Sequence, residues 1–63
     1  MNQSGNGAEK FAHYIMNLHE DRVFEVRLSD KTEAARVKDQ LRLLGCSVDG
    51  PDNRHWLVVV KPF

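Results

Sequence analysis

The stretch Asp30–Gly45 restricts the fold more than any other part of this chain. Asp30 and Glu33 stand at the spacing at which a cap side chain and a reciprocal acid satisfy the first free amides of a helix. From there Ala34, Val37, Leu41 and Leu44 recur at three and four residues, and Gly45 supplies the left-handed residue that commonly ends such a helix. The spacing predicts a helix over 30–44 with one apolar stripe. The flanking segments must supply the surface on which that stripe lies.

They read as strands. Val23 to Leu28 alternates, with Phe24, Val26 and Leu28 on one face and Glu25 and Arg27 on the other, as in a strand with one face on a core and one near water. Cys46-Ser47-Val48 is a short strand candidate, and Asp49-Gly50-Pro51-Asp52-Asn53 collects the residue types that favour chain reversal, so a six-residue hairpin loop follows. In His55–Val60, Trp56, Val58 and Val60 share one face and Leu57 and Val59 the other. A strand apolar on both faces belongs in the middle of a sheet. Because tryptophan in a short domain is usually core, Trp56, Val58 and Val60 are expected to face Val37, Leu41 and Leu44. Pro62 ends the strand, since proline cannot donate to the ladder, and Phe63 closes the chain.

Upstream, Ala8, Phe11, Ala12, Ile15 and Leu18 form a stripe at helical spacing, which Tyr14 and Met16 widen and which Ser4 or Asn6 could open. His19-Glu20-Asp21-Arg22 breaks that stripe and makes a short connection. Residues 1–7 read as a flexible N-terminal tail and 8–63 as a single small α/β domain.

The element order folds into one economical arrangement. A strand, crossover helix and second strand prefer a right-handed connection, which leaves a gap between parallel strands that the apolar third strand fills antiparallel to both. The expected fold class is therefore α+β: an N-terminal helix followed by a βαββ unit, with a three-stranded mixed sheet of order 1-3-2, half of a ferredoxin-like sandwich. The 30–44 helix should cover Phe24, Val26 and Leu28. The opposite face, with Leu57 and Val59, is left for the first helix or a second subunit.

Composition narrows what such a module does. Nine Lys plus Arg balance nine Asp plus Glu in 63 residues, which removes a long-range attraction for nucleic acid or anionic membrane. A domain near this size buries only about 60% of the surface its unfolded chain exposes, so a partner or second copy adds useful burial. A lone cysteine, Cys46, closes no intrachain disulfide and makes no multi-cysteine zinc site, which suits a reducing compartment. With no apolar run near the ~20 residues that span a bilayer and no secretory signal at the polar start, the expected location is cytoplasmic, away from membranes.

Chemistry finds little to work with. His13, His19 and His55 lack the i, i+4 spacing that puts two ligands on one helix face, and no nucleophile elbow, phosphate-cradling loop or oriented cysteine base is present. Glu9 and His13 at i, i+4 read as a surface contact. Cys46 follows the negative end of a helix, which disfavours a thiolate, and reads as a small core residue. The expectation is a protein that is not an enzyme and uses neither metal nor cofactor.

Binding remains. On the 30–44 helix Leu43 points about 140° away from the apolar stripe, beside Arg36 and Arg42, and these three are the candidate partner-binding residues. A small regulator or inhibitor of another protein is the leading expectation, analogous in size alone to phage-type inhibitors. Weak RNA or single-stranded DNA binding is the alternative: Arg36, Lys38, Arg42, Arg54 and Lys61 are basic, and Trp56 and His55 could stack bases if their face were open.

Leu28 to Val48, with its capped Ala/Leu helix ending in Leu-Leu-Gly, together with the closing Val-Val-Lys-Pro-Phe, resembles one half of the SPOR peptidoglycan-binding repeat. The resemblance covers roughly half of the chain. The second half of that repeat and its opening Gly-x-Phe element are not in this sequence, so the glycan-binding function is not carried over.

Overall fold

The computed structural model describes residues 4–62 of the chain. Helix α1 spans Ser4–Leu18, strand β1 Val23–Arg27, helix α2 Lys31–Leu43, strand β2 Ser47–Asp49 and strand β3 Trp56–Val60. Helix α1 thus takes in residues 4–7 of the stretch expected as a tail, while residues 1–3 and Phe63 lie outside the described residues. The fold is α+β, two helices with a three-stranded sheet in the order β1-β3-β2. β3 pairs antiparallel with both neighbours, as the sequence predicts, so every pairing in the sheet is antiparallel and the expected description of it as mixed does not apply. The parallel strands β1 and β2 never touch, because β3 separates them.

Local signals at α2 act as their chemistry dictates. The Asp30 carboxylate accepts the Glu33 N–H at 2.7 Å. Glu33 reaches one residue further back than a reciprocal cap would, accepting the Ser29 N–H at 3.1 Å and the Ser29 hydroxyl. At the other end Gly45 takes φ +96°, the Gly45 N–H donates to the Arg42 carbonyl and the Cys46 N–H to that of Leu41. Those two bonds are the Schellman pair, which satisfies carbonyls the helix leaves open.

The faces of β3 are the reverse of the expectation. Phe24 stands opposite Val59 and Val26 opposite Leu57, so Leu57 and Val59 share the covered face and are fully buried. Trp56, Val58 and Val60 fall on the other face beside Arg27, Glu25 and Val23. Side chains alternate along a strand, so moving the pairing by one residue exchanges its entire apolar sets. With both sets apolar, β3 alone could not settle the matter. The deciding contact is Lys61, which lies in phase with Leu57 and Val59 and is itself buried. Its ammonium donates to the His19 carbonyl at the end of α1 and sits 5.8 Å from the centre of the Phe24 ring. A cation at a helix C-terminus offsets the negative end of the dipole.

Helix α1 therefore does not seal the opposite face. Ala12 and Ile15 join Ala34, Val37, Leu41, Phe24, Val26, Leu28, Leu57 and Val59 in one cluster, so both helices lie on the same side of the sheet. The short 19–22 connection explains this: the Lys61 N–H donates to the Arg22 carbonyl at 2.8 Å, and the His19 ring stacks on Phe24 with centroids 4.2 Å apart. The chain enters β1 directly beneath the end of α1. Leu18, expected in the buried stripe, is 57% exposed at that end.

Candidate functional site

The result is a sheet covered on one side only. Its open face carries Val23, Glu25 and Arg27 from β1, Trp56, Val58 and Val60 from β3, and Ser47 and Asp49 from β2. Val23 and Val58 are exposed, while Trp56 and Val60 are half-buried among their strand neighbours. Trp56, Val58 and Val60 stand in line on the central strand and form a continuous apolar stripe that no element covers among the described residues.

At one end of that stripe the 50–55 connection folds up to form a concavity of about 390 Å³. Trp56 and Val58 line it, with Glu25, Asp49 and Asp52 supplying carboxylates and Arg54 a guanidinium. The loop's shape is fixed from within. The Asp52 carboxylate accepts the N–H of Arg54 at 2.8 Å and that of Trp56 at 3.1 Å, and these bonds, Trp56 first, hold its carboxyl below the ordinary aspartate range. Gly50 has φ +110°, and a Cβ there would come within 2.5 Å of the Trp56 carbonyl oxygen, so only glycine lets the loop cross so close to β3. His55 takes φ +66°, a left-handed conformation costly for a residue with a Cβ. Its N–H donates to the Asp52 carbonyl and its own carbonyl accepts from Leu28, which holds it there.

The three residues chosen from the helix pattern are exposed on α2, and Leu43 is 78% exposed. They are spread around the helix surface. Arg36 and Leu43, seven residues apart, lie within about 20° of each other around the axis, whereas Arg42 is about 100° from Leu43. Leu43 is an isolated apolar side chain among polar ones, which is ordinary on a protein surface. The larger candidate surface is not visible in the sequence pattern, which places Trp56 in the core. The clue available was Lys61: its parity with Leu57 and Val59 would have marked that face only if a buried lysine had been expected.

Cys46 is buried, with its sulfur 3.4 Å from that of Met16, and burial raises its thiol pKa against the opposing pull of the Lys61 charge. It is a core residue, as the sequence indicated. Among the described residues no three His, Cys, Asp or Glu side chains converge where they could hold a metal ion, and no helix is long and apolar enough to cross a membrane. Comparison with known protein families, with curated proteins and with solved structures finds no match.

Proposed function

We propose that this chain is a non-enzymatic binding module, a small regulator or inhibitor that engages another protein through the open face of its sheet. The observation that carries this reading is the Trp56–Val58–Val60 stripe standing uncovered beside the carboxylates of Glu25, Asp49 and Asp52. Interfaces concentrate their energy in a few aromatic and apolar anchors ringed by polar groups, and Trp56 at the edge of a concavity has that form. The carboxylates select the partner's chemistry: an extended segment that alternates apolar side chains with lysine or arginine. In this reading β1-α2-β2-β3 is a βαββ unit, half of a ferredoxin-like sandwich, working inside the cytoplasm.

Nucleic acid is the alternative. Trp56 on an open antiparallel sheet meets the stacking requirement. Phosphates, however, would meet three carboxylates against the two guanidinium groups of Arg27 and Arg54, so the face has no net positive charge to drive counterion release.

A fluorescently labelled peptide of alternating valine and lysine and a poly-uridine oligonucleotide are each titrated into the wild-type chain. The peptide should bind, Trp56→Ala and Asp49→Lys should each weaken it more than tenfold, and Leu43→Ser should leave it unchanged. Loss of binding with Leu43→Ser and not with Trp56→Ala would move the site to α2. Preference for the oligonucleotide, with a steep salt dependence, would put nucleic acid first.

A further inference from the structure

The two outer strands are not equally protected. β2 is three residues long, runs into Gly50 and Pro51, and the Lys38 ammonium occupies the Gly50 carbonyl at 2.7 Å. β1 has five residues with no proline, glycine or bulge in its pairing. Shortness, proline and bulges are devices that blunt an edge strand, and β1 keeps only one device of this kind, its charged side chains Glu25 and Arg27.

The direction of its backbone groups follows from two bonds. The Leu28 N–H donates to the His55 carbonyl and the Arg22 carbonyl accepts from Lys61, so the even-numbered residues of β1 point their backbone toward β3. In an antiparallel ladder both groups of a residue point the same way and alternate along the strand. Val23, Glu25 and Arg27 therefore present N–H and C=O to the free edge.

From this edge we infer that the chain forms a twofold dimer through β1, two copies pairing antiparallel about Val26 into one six-stranded sheet of order β2-β3-β1-β1-β3-β2. Charge selects the register. Antiparallel self-pairing that uses the odd residues can centre on any residue along β1, and only the Val26 centre sets Glu25 opposite Arg27. Centred on Glu25, two carboxylates stand opposite each other, which is destabilising. Centred on Val26, Glu25 of each copy stands opposite Arg27 of the other as a hydrogen-bonded pair, giving two symmetric ion pairs and four backbone bonds. A twofold axis requires a self-complementary patch, and an acid and a base two residues apart on one strand provide it. Ser29, next along, is not needed, since its N–H is already held by Glu33. The dimer keeps the helices on one side and joins two open faces into a single platform. The inference does not depend on what binds that platform.

Sedimentation velocity tests it, since it reads mass and no ligand. A short edge contact buries less than a standard interface, so the wild type should sediment as a concentration-dependent dimer between about 10 µM and 1 mM. Glu25→Arg and Arg27→Glu should each weaken the dimer at least tenfold, because each turns both ion pairs into repulsions. Mixing those two variants should restore it, as each like-charged edge then meets its opposite, and the double variant should restore it as well. Both positions are exposed, and far-ultraviolet circular dichroism confirms that each variant is folded. A wild type that is monomeric at 1 mM, single reversals that leave the mass unchanged, or a mixture that stays monomeric would each overturn the proposal. Dimerisation abolished by Val58→Ser but indifferent to the charge reversals would place the contact on the sheet face and overturn it too.

Discussion

Lysine placed at two adjacent positions of β3 should give opposite outcomes. Val59 is completely buried between Phe24 on β1 and Val48 on β2, so Val59→Lys forces an ammonium with no acidic partner into the core. An unpaired buried charge costs several kcal/mol, against a total stability of about 3 to 9 kcal/mol for a chain of this length. Val59→Lys should therefore unfold the domain at 25 °C. Val58 is 37% exposed and stands directly between Glu25 and Asp49. A lysine there loses about 1 kcal/mol of strand preference and partial burial, and regains about 0.2 to 1 kcal/mol from each cross-strand acid, leaving stability within about 1 kcal/mol of wild type. Val58→Asp, facing like charges on both sides, should cost about 1 to 2 kcal/mol and still fold. Urea titration followed by far-ultraviolet circular dichroism reads all three, with m unchanged for the Val58 variants. A cooperative melt for Val59→Lys together with an unfolded Val58→Lys would show that the faces of β3 are reversed.

Other outcomes follow from single contacts. Asp30→Ala should cost about 1 kcal/mol through loss of the bond to the Glu33 N–H, read as a lower urea midpoint. His55→Val should cost about 1 to 2 kcal/mol, because a branched side chain tolerates the left-handed conformation poorly, whereas His55→Asn should be nearly neutral. Asp52 titrates below its unfolded range, so its contribution is present above the unfolded pKa and is lost as pH falls through the lowered value. Trp56 emission should accordingly change on acidification in that window, and Asp52→Ala should remove the transition. Cys46, buried and raised in pKa, should react with iodoacetamide far more slowly in the native protein than in urea.

What was legible in the sequence was local. Asp30, Glu33 and Gly45 announced the ends of α2 because caps act within one turn, and the Val23–Leu28 alternation settled its own face because only one of its two sets is apolar. The two-faced apolar pattern of β3 placed it correctly in the middle of the sheet. Its orientation was not legible, because the choice between Trp56, Val58 and Val60 and the pair Leu57 and Val59 depends on pairing with β1, far earlier in the chain. The same distance hides Lys61: a lysine beside a proline reads as surface until the His19 carbonyl it caps is brought to it. The open face, and with it the candidate site, follows from those two long-range contacts and not from any motif.

Chemical-shift mapping with the alternating valine–lysine peptide tests the central claim most directly, because backbone amides report where the ligand sits without any substitution. The account predicts that the perturbed amides cluster on Glu25, Asp49, Trp56 and Val58, with Arg36 and Leu43 unmoved. Shifts gathered along α2 with the open sheet face silent would contradict it.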